Sequence, residues 1–281
     1  MEKNSRRARL KAFRRFTTNV WHSFLRKRCQ GLASEIGFWS FYSIFPLITF
    51  VVAISSFFPF AENPDKVLNA ANKLLPFNVQ EVVGPVVTRI LSQPNYLLAG
   101  ATLLLAMWAA SRAVSSLTAA LNDIYGVVET RPYWKRKVIA LLMVAILTLI
   151  YILAFMFLVV GPIILNFLSE NIAHVHSYWP LIKALRLGII MVALFIGFLV
   201  MYALGPNMRR NGKKIVPGAL VSSIGWFVVS WAFGYYISNI ARVGRIYGPL
   251  GAVIVMLTWL YLISLIILVG ALVNREMMNR A

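Results

Sequence analysis

The chain has 281 residues, of which 59% are hydrophobic and only 13% charged, with a mean hydropathy of +0.73. A soluble domain of this length carries about a quarter charged residues to cover its surface, so a soluble enzyme is excluded, as is a disordered or disulfide-stapled chain. The net charge of +19, from 28 Lys+Arg against 9 Asp+Glu, is then assigned to membrane topology and anionic lipid rather than to a nucleic-acid surface.

Residues 1–34 form a basic arm. Leu10, Phe13, Phe16, Val20, Trp21 and Phe24 recur at helical spacing, with Arg6, Arg7, Lys11, Arg14, Arg15 and Arg26 to Arg28 around them. This predicts an amphipathic helix lying along the inner membrane surface, its apolar side in the acyl boundary and its cations on anionic headgroups. A partner-binding helix is the weaker alternative. The arm is too long, and the apolar run after it too extended, for a cleaved signal peptide.

Six segments that follow are long enough to cross a hydrocarbon core of about 30 Å: residues 35–60, 96–119, 138–164, 185–204, 216–240 and 250–273. Gly161-Pro162, Gly205-Pro206 and Gly248-Pro249 stand near their edges as helix-ending signals. Between the first two spans, residues 61–95 hold amphipathic patterns, Val67 to Leu75 and Val82 to Leu91, expected to cap the outer face, with helices lying on the outer leaflet as the weaker alternative. Twenty of the lysines and arginines fall in the arm, the second and fourth connections and the tail 274–281, against seven in or at the edge of the remaining connections. That split predicts cytoplasmic termini, in accord with an even number of spans. The fold class expected is an all-α integral membrane protein: a six-helix bundle with an interfacial N-terminal helix and an outer helical segment.

A charge inside a span needs a partner or a wet cavity. In the second span Arg112 is followed by Ser115, Ser116, Ala119, Asn122 and Asp123 on a small or polar face, with Arg112 and Asp123 about 16 Å apart along the helix. Glu35 opens the first span at a depth the second span also reaches, so a Glu35–Arg112 ion pair is expected, either closing a polar cavity or merely locking the bundle. Around the turn from the fifth to the sixth span, Tyr235, Tyr236, Ser238, Asn239, Arg242, Arg245 and Tyr247 combine rings, hydroxyls and cations. They suit an anion or lipid headgroup, although an aromatic belt with ordinary loop charges is the blander account. The residues expected to bind or gate are Glu35, Arg112, Ser116, Asn122, Asp123, Tyr235, Arg242, Arg245 and Tyr247, with Pro46, Pro217 and Gly248 letting helices bend. Gly225, Gly234, Ala109, Ala113 and Ser116 are small enough for close helix contacts or a homodimer.

Zinc, phosphate-loop, dinucleotide and Gly-x-Ser-x-Gly patterns are absent from the sequence. With one cysteine, Cys29, and three scattered histidines, His22, His174 and His176, no catalytic residue, metal ligand or cofactor is expected.

Several ordered blocks carry a family resemblance: Gly31-Leu32-Ala33-Ser34-Glu35 running into Phe41-Tyr42-Ser43-Ile44-Phe45-Pro46; Trp108-Ala109-Ala110-Ser111-Arg112-Ala113; and Leu121-Asn122-Asp123-Ile124-Tyr125-Gly126 with Glu129 and Arg131. Tyr202, Pro206-Asn207, Pro217-Gly218-Ala219, Tyr247-Gly248-Pro249-Leu250-Gly251-Ala252, Trp259-Leu260-Tyr261 and Gly270-Ala271-Leu272-Val273-Asn274 continue the series. Over about residues 20–275 the chain resembles the YihY/BrkB family of bacterial inner-membrane proteins. The resemblance implies six helical spans. The family has carried a ribonuclease label, a misassignment, and a virulence or serum-resistance label; other links point to the envelope and lipid export. The function expected is transport of a lipid or another amphiphilic anion across the cytoplasmic membrane. The alternative is a non-catalytic scaffold or accessory subunit of an envelope-assembly complex; an intramembrane enzyme ranks below both, and a ribonuclease is rejected. The partners expected are membrane lipids, with a homodimer or an envelope-complex partner, and no nucleic acid.

Overall fold

The computed structural model describes residues 2–55, 96–171, 179–208, 214–239 and 249–279. Among these residues every regular element is an α-helix: α1 (Glu2–Arg26), α2 (Cys29–Ser55), α3 (Tyr96–Tyr125), α4 (Tyr133–Asn171), α5 (Trp179–Leu204), α6 (Val216–Asn239) and α7 (Pro249–Asn279). All-helical structure is what an apolar solvent demands, because each helix satisfies its own backbone polar groups. Helices α3 to α7 each contain a stretch long and apolar enough to cross a membrane, Tyr96–Tyr125, Tyr133–Ala154, Leu187–Leu204, Val216–Ile237 and Val253–Asn279. The first expected span, 35–60, falls on α2 as far as Ser55; residues 56–60 and the expected outer segment 61–95 lie outside the described residues.

Two boundary signals read differently in the structure. Gly161-Pro162, expected to end a helix, lies inside the unbroken α4; ending a helix in an apolar surrounding would orphan several backbone groups, which costs more than the one bond proline removes. Pro217, expected to bend a helix, is the second residue of α6, where its missing N–H is one the helix leaves unpaired anyway. Pro46 does sit within α2.

The α1–α2 junction is a break of two residues. Lys27 N donates to Ser23 O (2.9 Å) and Arg28 N to Leu25 O (3.2 Å), while Arg28 takes a φ of 50°. A left-handed backbone costs a non-glycine residue about 1–2 kcal/mol. Arg28→Gly is therefore expected to raise stability by about 0.5–1 kcal/mol after the entropy of the freer unfolded chain is subtracted, read as a higher melting temperature in detergent. The end of α3 uses glycine directly: Gly126 (φ 68°) donates to Asp123 O and Val127 N to Asn122 O, which closes the last carbonyls in a Schellman turn.

The helices assort into two compact units. The first contains Met1–Cys29, Thr118–Phe227 and Ile266–Ala281. Its core is Leu121, Ile124, Met143, Phe198, Tyr202, Leu268 and Leu272, all essentially inaccessible. Within it α6 and α7 touch backbone to backbone: a Cβ on Gly270 would stand 2.7 Å from Gly218 O. The second unit contains Gln30–Leu117 and Val228–Leu265. There α2 approaches α7 through Gly37, whose added Cβ would lie 3.3 Å from Tyr261 N. Among the described residues nothing lies within 4 Å of a Cβ built at Gly234, so they do not make the contact expected there.

Candidate functional site

In the second unit α2 and α3 run antiparallel, and successive turns face one another. Ser116 Oγ donates to Glu35 Oε1 at 2.8 Å. One turn along, the Arg112 guanidinium stands 4.8 Å above the Trp39 ring. A further turn brings Trp108 edge-on to Trp39 (5.9 Å) and to Tyr42 (6.4 Å), and Phe38 stacks on Tyr42 at 6.4 Å. The steps 35, 39, 42 on α2 and 116, 112, 108 on α3 follow from the three- to four-residue recurrence of one helix face.

This register corrects the expected Glu35–Arg112 pair. Glu35 is directly opposite Ser116, so its carboxylate accepts the hydroxyl's hydrogen bond, and Arg112 is opposite Trp39, whose π-face attracts the cation. Among the described residues no carboxylate lies within ion-pair distance of Arg112. The guanidinium is exposed on a helix apolar enough to span a membrane, beside the half-exposed Phe38, Tyr42 and Trp108. A planar cation with five donors, flanked by amphipathic rings, is suited to an anionic headgroup with an apolar body. Trp39 is not singled out from sequence, and Tyr42 and Trp108 enter there only as members of the family blocks; the usable signal is Trp108 standing one turn before Arg112.

In the first unit the polar residues that follow on α3 are used internally. Asn122 Oδ1 accepts from Asn207 N at 2.8 Å and Asn122 Nδ2 donates to Glu129 Oε2 at 2.8 Å. Arg131 grips Glu129 in a fork, Nε to Oε1 at 2.8 Å and Nη2 to Oε2 at 2.7 Å, and Nη2 also donates to Gly205 O at 2.9 Å. The same loop is held by Asn207 Nδ2, which reaches Thr130 Oγ1 at 2.8 Å. The hydrogen bonds and charge of Arg131 hold the Glu129 carboxyl down at about 2. Asp123 pairs with Lys27 at 2.9 Å, with half its side chain in the open, a geometry worth under about 1 kcal/mol.

Deeper in this unit, Tyr202 Oη donates to Ile267 O at 2.7 Å and shares a 2.6 Å bond with Ser222 Oγ. Asn274 Oδ1 accepts the Gly218 N–H at 2.6 Å, one of the four donors that the start of α6 cannot pair internally. Tyr202, Ser222 and Asn274 are wholly buried; their partners are tens of residues away, so spacing alone does not reveal them. Of the remaining expected residues, Tyr235 stacks on Trp231 at 6.2 Å near the end of α6. Arg242, Arg245, Tyr247 and Gly248 lie outside the described residues. Among the described residues no three His, Cys, Asp or Glu side chains gather as a metal site would require.

A family model described as Virulence factor BrkB matches residues 20–281. The chain is 25% identical over 265 residues to the ribonuclease-like protein YfkH of Bacillus subtilis, covering 94% of this chain and 96% of that protein. It is 27% identical over 267 residues to a UPF0761 membrane protein of Xanthomonas campestris, covering 94% of this chain, and 26% identical over 278 residues to one of Stenotrophomonas maltophilia, covering 99%. The chain spans only 60% and 63% of the length of those two relatives. No solved structure matches it.

Proposed function

The chain belongs to the Virulence factor BrkB family, and from that premise we propose that it carries a lipid or another amphiphilic anion across the cytoplasmic membrane, with both termini in the cytoplasm. The observation that carries this reading is Arg112, an exposed cation on an apolar helix, held over Trp39 at 4.8 Å. A permanent charge at such a position is costly, and its retention is explained if it meets an anion that enters from the leaflet. Glu35 and Ser116 hold the adjacent turn, so the cation is presented from a fixed helix pair. Tyr235, Arg242, Arg245 and Tyr247 would serve the outer end of the path, and Pro46 would let α2 flex.

The test is lipid movement in liposomes containing the purified full chain, with a fluorescent phospholipid quenched from outside as it emerges. Wild-type protein is expected to exceed empty liposomes. Arg112→Ala should slow that movement about 10- to 100-fold at unchanged abundance, the loss of one charge-assisted contact. Equal rates for wild type, Arg112→Ala and empty liposomes would end the reading. The same result would favour a scaffold, the second reading, which draws its support from the Asn122, Glu129, Arg131 and Asn207 knot: these side chains are already engaged with one another, as in a helix bundle built to be held rigid for a partner.

A further inference from the structure

We propose that α1 is a headgroup reader: its outward face, made of Lys11, Arg14, Arg15 and Arg26 around Trp21 and Leu25, docks onto anionic phospholipid in the leaflet beside it. The inference does not depend on transport.

The helix has two sides with different duties. On one, Phe16, Asn19, Val20, Ser23, Phe24 and Lys27 are partly buried. Asn19 Nδ2 donates to Glu276 Oε1 at 2.8 Å and Lys27 Nζ to Asp123 Oδ1 at 2.9 Å. These tethers are eight residues apart, about 12 Å along the helix, and they fasten α1 to the C-terminal ends of α7 and α3. On the other side Lys11, Arg14, Arg15, Thr18, Trp21, His22, Leu25 and Arg26 recur at helical spacing and are all exposed. Trp21 is 59% exposed and Leu25 54%, and Trp21 stacks on Phe24 at 5.7 Å with the rings 7° apart, which sets the indole rigidly at the edge of this face.

The apolar stripe expected from sequence is therefore split. Phe16, Val20 and Phe24 turn toward the protein, while Trp21 remains outside with Leu25; the side chains of Leu10 and Phe13 lie outside the described residues. Two apolar residues are too few to hold a helix deep in acyl chains, so the four cations carry the attraction, each raising local affinity for an anionic surface roughly fivefold. No acid occurs between Glu2 and Glu35 to oppose them. An indole and a leucine amid the cations fit the boundary between headgroups and acyl chains, where Trp is favoured. A nucleic acid would offer no apolar layer to receive Leu25.

The full chain in nanodiscs tests this, with bromine placed near the headgroup either on phosphatidylglycerol or on the surrounding phosphatidylcholine. The Trp21 signal is the difference between wild type and Trp21→Phe. Quenching of that signal is expected to be about threefold stronger with bromine on phosphatidylglycerol at equal mole fraction. The preference should vanish in a Lys11→Gln, Arg14→Gln, Arg15→Gln, Arg26→Gln variant of unchanged melting temperature, and in about 1 M salt. Equal quenching by the two lipids, or no quenching of Trp21, overturns the proposal. So does a shift of Trp21 emission on adding a short RNA to pure phosphatidylcholine discs, which would assign the face to nucleic acid.

Discussion

Gly270→Ala is expected to leave little folded protein in the membrane. The added methyl would be driven onto Ser222 Oγ, Tyr202 Oη and the Gly218 carbonyl. None of these is the loose end of a flexible side chain: the two hydroxyls are bonded to each other, and Tyr202 Oη also to the Ile267 carbonyl, with both side chains out of reach of solvent. Relief comes only by parting α6 from α7, and that also breaks the Asn274 bond to Gly218 N. Overpacking costs about 1–3 kcal/mol, and each buried polar group left unpaired about 1–3 more, so a total near 4–5 kcal/mol is expected, among the largest single-residue effects. Gly234→Ala is the matched control. Among the described residues nothing stands within 4 Å of a Cβ at that position, and the change should be neutral or stabilising by up to about 1 kcal/mol. Heating detergent extracts and measuring the surviving monodisperse fraction for both variants checks the pair; equal survival would refute the tight crossing.

The contrast between these two glycines bears on how much of the molecule was legible in advance. Spans could be located because hydropathy is a property of the segment alone: each of the five apolar helices overlaps an expected span. Their ends were less legible. Hydropathy stops at the edge of the apolar layer, whereas α4 runs on from Tyr133 through Gly161-Pro162 to Asn171. Pairing between helices was least legible, because it depends on register. Arg112 and Glu35 stand on facing helices, but a shift of one turn decides whether the carboxylate meets Arg112 or Ser116. Glycine alone does not reveal which crossing is close; Gly270 and Gly234 differ only in what stands opposite them.

Side chains that cap distant backbone form a second class that local pattern misses. Asn274 completes the start of α6, and Asn122 and Arg131 satisfy Asn207 N and Gly205 O beyond the end of α5. Each is a polar residue at the edge of an apolar stretch, so the sequence shows it as a candidate for chemistry and for structure alike. The difference lies in whether donors and acceptors are spent. Asn122 uses both ends of its amide, whereas the Arg112 guanidinium is met by a π-face and no carboxylate among the described residues. That is why the transport reading rests on Arg112 rather than on the whole stripe.

The Glu129–Arg131 fork gives the second large effect and the one that pH exposes. The Glu129 carboxyl is held at about 2 against an ordinary 4.5, so its contribution to stability is complete above about pH 4.5 and is lost as the pH falls toward 2. Because the loop is partly open to water, screening reduces that contribution to about 1–2 kcal/mol. Arg131→Gln is expected to cost about 2–3 kcal/mol at neutral pH, since it strips the fork from Glu129 and weakens the contact to Gly205 O together. The variant's melting temperature should then fall less steeply than the wild type's between pH 4.5 and 2, because the carboxyl returns toward its ordinary value. Adding Glu129→Gln to Arg131→Gln should recover part of the loss, for two neutral amides leave no charge unpaired. Melting curves of the three proteins in detergent across that range decide it: parallel pH profiles for wild type and Arg131→Gln would mean that the fork does not hold the carboxyl down.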